Sequence, residues 1–447
     1  MSLQIYNTRS KTKELFKSHR EGKVTMYVCG PTVYDLLHIG NFRGVVFFNV
    51  VRQWLENSGY EVTFALNYTD IDDKIIARAA EKNISPSELT DFYIQAYQDD
   101  LSLLALKPHD INPKCTDHID DIITLISKLI TDGFAYEIAG SVFFDVHSFK
   151  DYGKLSGKRL DDLEAGHRVD PHPDKRHPFD FVLWKPSKDH EPSWESPWGM
   201  GRPGWHIECS AMCHAHLGEQ VDIHGGGIDL IFPHHENEIA QSCCNNSTQK
   251  FANYWVHNGF VTIDKEKMSK SLGNIVTISD AVKKYSGQVV RLALMSAHYS
   301  QPLDWNEKLL LEQKSTIEKW YQLYEDSDEE IETEVIESLL EDLNTPGFIA
   351  KIHELYNAAK KGNKKSKKNF NGACRLIGLF NLSKDEWDKF KKSNSNISEE
   401  FILNKINERL NAKNNGNYKL ADQIRDELLK KDVVIEDQKD KTVWKFK

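Results

Sequence analysis

The chain has 447 residues, 40% of them hydrophobic and 28% charged, which is an ordinary balance for a globular protein and long enough to bury sizeable cores without covalent staples. No apolar run is long enough to cross a bilayer, and the N-terminus lacks the apolar segment of a secretory signal. A net charge of −10 excludes a generic nucleic-acid binder, and seven irregularly spaced cysteines exclude a secreted disulfide framework, so a cytoplasmic location is expected.

At about 100–200 residues per domain, the length predicts three or four domains. Residues 24–29 read as a short buried strand, broken by Gly30-Pro31-Thr32. A helix follows from about Gly40, with Phe42, Val45, Val46, Val50 and Trp54 on its apolar stripe. Residues 61–66 form the next strand, and a further helix starts near Ile71. This alternation predicts an α/β fold, a Rossmann-type doubly wound parallel sheet whose ligands sit at the carboxyl ends of the strands. The catalytic domain is split, over 1–115 and 201–255, by a connective insertion at 116–200 rich in Pro, His and Trp. From Gly201 the sheet pattern resumes, first in the WHIECSAM stretch and then in VDIHGGGIDLIF, before a helix from Pro233. A region holding the lysine loop is expected over 256–315 and a helical bundle over 316–395. Residues 396–447 form a small α+β C-terminal module. Glu325 to Glu337 is an acidic run, while 360–368 carries six lysines.

Two segments carry phosphate chemistry. His38-Ile39-Gly40-Asn41 lies between a strand and a helix, where unpaired N–H groups and the helix dipole favour an anion. Gly40 permits close approach, and His38 and Asn41 can donate to phosphate oxygens. Lys267-Met268-Ser269-Lys270-Ser271 is a polar loop whose two lysines can grip a pyrophosphate. Cations that engage a crowded phosphorus centre only in its transition state raise the rate rather than the affinity. Together the two segments imply an enzyme that uses ATP to adenylate a small substrate.

Cys29, Cys209, His234 and Glu238 offer ligands suited to zinc, and His234 and Glu238 are four apart on an expected helix. Cys209, Cys213, His214 and His216 form a competing cluster, and Cys243 and Cys244 add two thiols. Spacing alone does not rank these sets.

The segments MYVCGPTVYDLLHIGN, NYTDIDDKII, GWHIECSAM, DIHGGGIDLIFPHHENEIAQS and VHNGFVTIDKEKMSKSLGN resemble those of cysteinyl-tRNA synthetases, a family of class I aminoacyl-tRNA synthetases. The resemblance implies ATP-dependent activation of L-cysteine to the adenylate, then transfer to the terminal ribose of tRNA(Cys). It implies one zinc per chain on Cys29, Cys209, His234 and Glu238, selecting the substrate thiolate, and Mg²⁺ with ATP. It places His38, Gly40, Asn41, His224, Gly225, Gly226, Gly227, Asp229, Lys267 and Lys270 at ATP, with His38, Lys267 and Lys270 as the transition-state clamp. Gly30, Thr69 and Trp205 would line the cysteine pocket. Arg425, Asp437 and Trp444 would meet the anticodon, where a tryptophan can stack on an unpaired base. Cys213, Cys243 and Cys244 are expected to be reduced fillers, and His206 and His235 hydrogen-bonded core histidines. The insertion is too short to suggest an editing domain. Related ligases that join cysteine to an amino-sugar tend to lack the tail that 398–447 supplies. Nothing demands a dimer, so a monomer is expected. The chain departs from the family pattern at Asn41-Phe42-Arg43, at Asn49, where aspartate is common, and at Tyr68, where an apolar β-branched residue is usual.

Overall fold

In a computed structural model, the described residues are 3–158, 175–246, 248, 250–269, 272–326, 331–393, 398–431, 433–438 and 442–446. Four strands form the central parallel sheet: Lys23–Val28 (β1), Glu61–Leu66 (β2), Val221–Gly227 (β3) and Ala252–Asn258 (β4), in the order β4-β3-β1-β2. The chain leaves β1 toward β2 on one side and later returns to β3 on the other. The order therefore reverses between β1 and β3, and their carboxyl ends open the crevice where such sheets bind ligands. The register pairs Val28 with Gly225, and the Cys29 N–H donates to the Gly225 carbonyl at 3.1 Å.

The sheet divides two cores, as the two-residue strand period requires. Val24, Met26, Val28, Phe64 and Leu66 face one side, toward the helix Ile39–Asn57 (α1) and the C-terminal helices. Tyr27 and Ala65 face the other, toward the insertion and two helices, Trp205–Leu217 (α2) and Glu236–Asn246 (α3). The predicted stripe of α1 is buried, but so are Arg43, Phe47, Phe48, Asn49, Val51 and Arg52. The reason is that α1 lies between the sheet and the helical bundle rather than at the surface.

Both strands read at 24–29 and 61–66 form where expected, and the helix expected near Ile71 begins at Asp73 behind an Asp72 cap. The WHIECSAM stretch, read as resuming the sheet, is the start of helix α2. Residues Ile207 to Cys213 are all buried, Glu208 and Ser210 included, and a short stretch buried on every side does not distinguish a helix from a strand. The insertion is a helix, Ile119–Thr131, beside an antiparallel sheet of Ala135–Ile138, Ser141–Phe144, Phe181–Pro186 and Gly201–Pro203. Its last strand runs to Pro203, just past the expected edge at 200, and β4 runs to Asn258, just past 255. In the tail, the helices Glu399–Asn414 and Tyr418–Lys430 pack on the hairpin of Val433–Asp437 and Thr442–Phe446.

Candidate active site

The crevice holds two neighbouring constellations, one of thiols and imidazoles and one of phosphate-type donors. Cys29 emerges from the end of β1, and Cys209 sits in the second turn of α2. His234 closes the turn Ile231–His235, and Glu238 lies in the first turn of α3. Their ligand atoms all lie within 4.8 Å of one another. Cys29 Sγ is 3.1 Å from Glu238 Oε1, and His234 Nε2 is 3.1 Å from the same oxygen. A tetrahedral zinc with bonds of about 2.0–2.3 Å needs ligands roughly 3.3–3.8 Å apart. Small adjustments reach that geometry.

The electrostatics fit a cation. Burial pushes the Cys29 thiol up, while hydrogen bonding from Cys29 draws Cys209 down to about 6. One sulfur is thus predisposed to be thiolate. Burial alone would depress His234, yet Glu238 and Cys209 hold it up at about 10. Burial raises Glu238, but His224 and His234 overcome this and hold it well below the usual carboxylate range. The cluster stores protons that a divalent metal would displace. Glu238 Oε2 is buried with His224 Nε2 3.2 Å away but in no hydrogen bond of acceptable geometry. A buried carboxylate oxygen held only by a poorly aligned ion pair inside a thiol–imidazole cluster fits a missing cation.

A second quartet, Cys29, His224, His235 and Glu238, meets the same distance test and shares two members with the first. His224 was expected beside adenosine. The structure buries its ring under the cluster instead, with Nε2 3.5 Å from Cys29 Sγ and 3.2 Å from Glu238 Oε2. His206, set aside as a core histidine, places Nδ1 2.9 Å from His234 Nδ1. That contact leaves the His234 Nε2 facing Glu238 and fixes the ring, the role an outer partner plays for a metal-bound imidazole. Its only signal in the sequence was proximity to Cys209. The competing cluster dissolves, because Cys213 faces the core while His214 and His216 are exposed at the end of α2.

The Trp205 ring lies 4.4 Å from that of His234 and is 41% exposed. Thr69 is buried and bridges backbone to backbone with Thr32. A Cβ on Gly30 would sit 1.7 Å from the Asn67 carbonyl oxygen, so the residue is held to glycine by close packing. Asn67 Oδ1 accepts from the Gly30 N–H at 2.9 Å and lies 3.6 Å from Cys209 Sγ.

The phosphate signatures meet at the head of α1. His38 caps the helix: its Nδ1 accepts from the Asn41 N–H at 3.3 Å, and Asn41 Oδ1 accepts from the His38 N–H at 3.1 Å. With Nδ1 accepting, the ring proton sits on Nε2, a donor. Met268 of the lysine loop touches Gly40, where an added Cβ would lie 2.6 Å from Met268 Cε. The Ile39 N–H donates to the Val276 carbonyl at 3.0 Å, so the far end of the loop is stitched to the same turn. Asn274 bridges the loop's base, accepting from the Ser269 N–H at 2.9 Å and donating to the Lys267 carbonyl at 3.2 Å. Lys267 is exposed in the short strand Glu266–Lys267. Lys270 lies outside the described residues.

Of the glycine run, Gly225 is a packing position: a Cβ there would sit 2.2 Å from the Phe48 ring of α1. A Cβ on Gly226 would meet Leu230 and His235, and one on Gly227 would meet Asp229 Oδ1 at 2.4 Å. Asp229 itself is exposed in the turn Ile228–Leu230. In the tail, Asp437 accepts from both Arg409 nitrogens at 2.8 and 3.0 Å, and from Lys413 and Thr442. Its carboxylate is therefore engaged in bracing the module. Arg425 is exposed, and Trp444 lies 5.2 Å beneath the Lys392 ammonium.

The sequence pattern of the class I tRNA synthetase (C) catalytic domain matches residues 15–315. The chain is 53% identical over 447 residues to a cysteine–tRNA ligase of Pelagibacter ubique, covering 99% of each chain. It is 43% identical to one of Thermococcus onnurineus, over 100% of this chain and 99% of the relative. A solved methionyl-tRNA synthetase of Mycobacterium tuberculosis, in complex with methionyl-adenylate, superposes with a TM-score of 0.56 at 12% identity. It covers 79% of this chain and 89% of the other.

Proposed function

The chain belongs to the cysteine–tRNA ligases of class I, and from that premise we propose that its buried thiol–imidazole quartet is the amino-acid selector and the head of α1 the ATP site. The observation that carries the proposal is the convergence of Cys29, Cys209, His234 and Glu238 within 4.8 Å at the switch point of the sheet.

A zinc ion held by that quartet supplies a Lewis acid for which the substrate thiolate is a matched ligand and a serine hydroxyl is not. The protein's own residues do the rest. Gly30 and Thr69 close the pocket around the substrate, and Trp205 covers it against water. His38 and Asn41 direct N–H donors at the ATP phosphates, with the N-terminal dipole of α1 behind them. Mg²⁺ accompanies ATP. Cysteine's carboxylate attacks the α-phosphorus, the bond to the β-phosphate breaks, and pyrophosphate leaves against Lys267 and Lys270. Asn274 sets the position of Lys267 by gripping its carbonyl. The cysteinyl group then passes to the terminal ribose of tRNA(Cys), whose anticodon meets the tail near Arg425 and Trp444. Asp437 contributes there chiefly by holding the hairpin in place. The chain works as a cytoplasmic monomer.

Sites that leave a demanded interaction unmade reject analogues by about 10⁴–10⁵-fold, so no editing step is needed. The test is pyrophosphate exchange with cysteine and with serine, on zinc-loaded and chelator-stripped protein. Stripping is expected to abolish cysteine activation and the preference over serine together. Metal-free protein that still prefers cysteine would refute the selector reading.

A further inference from the structure

A second pair of imidazoles stands apart from this centre, where the insertion begins. His118 ends the turn Cys115–His118, and His216 lies in the last turn of α2. Their Nε2 atoms face each other at 3.1 Å, with the rings nearly perpendicular at 77°. Behind His118, Asp121 Oδ2 is 2.8 Å from Nδ1. The carboxylate fixes the tautomer: Nδ1–H donates to Asp121, and the lone pair of His118 Nε2 points at His216. At present the His216 Nε2–H fills that gap. His216 is exposed, so its proton can move to Nδ1 by exchange with solvent, leaving two converging nitrogen lone pairs.

The spacing favours a cation between them: an N···N separation of 3.1 Å is close to that of adjacent ligands on a late first-row metal. The other histidine grouping outside the centre, His147, His177 and Asp180, lacks this arrangement. Asp180 already accepts from the Tyr136 hydroxyl and the Val146 and His177 N–H groups, and His177 Nδ1 accepts from the Phe179 N–H.

We propose that His118 and His216, with Asp121 behind His118, form a second divalent transition-metal site, completed by water. An ion there would bridge the first helix of the insertion to the helix that carries Cys209. Imidazole ligation and an open coordination sphere suit zinc, nickel or copper.

The probe is Ni²⁺, titrated by calorimetry into zinc-loaded full-length protein while released zinc is monitored. One further equivalent is expected to bind at sub-millimolar nickel without releasing zinc, and without the sulfur-to-metal charge-transfer absorption of a thiolate site. His216→Ala should lose this equivalent, and Asp121→Asn should weaken it about 10–100-fold. Both variants should retain one zinc and unchanged cysteine activation, which separates this site from the selector. Wild-type protein that takes up no further nickel, or a His216→Ala variant that binds it equally well, would overturn the proposal.

Discussion

Single side chains explain both the accuracy and the gaps of a reading from sequence. The convergence of Cys29, Cys209, His234 and Glu238 was legible because resemblance grouped them where spacing left competitors level. His206 and His224 were not, since which nitrogen of a buried ring faces which neighbour depends on elements tens or hundreds of residues away. His206→Ala is expected to weaken zinc binding about 10–100-fold in a chelator competition, with the fold intact. A second residue-scale case is Asn49. Arg291 is fully buried, and its guanidinium donates to the Leu104 and Ala105 carbonyls, Asn49 Oδ1 and Gln53 Oε1. Among the described residues no carboxylate pairs with it, and burial pulls it down to about 9. Asn49→Asp would restore a counter-charge at the cost of one weak bond to the Lys107 carbonyl, at 3.3 Å. Hydrogen bonds to charged groups contribute about 1.5–3 kcal/mol, offset by desolvating the new carboxylate, so a net gain of about 1 kcal/mol is expected. A raised denaturation midpoint at pH 7 checks it.

At the level of elements, the strands at 23–28 and 61–66 were readable as short buried runs, whereas α2 was misread because its Ile207–Cys213 stretch is buried throughout and shows no amphipathic stripe. What no local pattern contained is how α1 seats on the sheet. Gly225 lets Phe48 lie against β3, and this contact is expected to set the distance between His38 at the head of α1 and Cys29 at the end of β1. A methyl at Gly225 would sit 2.2 Å from that ring. Gly225→Ala is therefore expected to cost about 1–3 kcal/mol by overpacking and to lower the rate of cysteine activation as the two half-sites separate. Phe48→Leu in the same chain should recover part of both losses. A double-mutant cycle with no coupling would show that the contact does not set the spacing.

Across the whole molecule, the tail carries its own small apolar core, and one carboxylate braces its hairpin against the helix Glu399–Asn414. Asp437 is held well below the ordinary carboxylate range, first by hydrogen bonds from Arg409 and then from Lys413. A depressed carboxylate contributes stability that is present above its unfolded pKa, about 3.9, and is lost as pH falls toward the folded value. The melting of this module should thus be flat from pH 8 to about 5 and fall below about pH 4. Asp437→Asn should remove that dependence and weaken tRNA binding while leaving cysteine activation unchanged. Amide exchange of residues 399–437 across the pH range, with tRNA affinity measured in parallel, checks both outcomes.

The four residues of the proposed selector come from three separate stretches of chain, with Cys29 first and Glu238 last. A ribosome adding about 5–20 residues per second needs roughly 10–40 s to cover the intervening stretch of about 210 residues. For most of that interval, until Cys209 and then β3 emerge, Cys29 exists as a thiol without its partners. Metal capture by the proposed selector would accordingly be a late event of synthesis. A chain stalled before Glu238 carries a half-built site, open to oxidation by the surrounding medium.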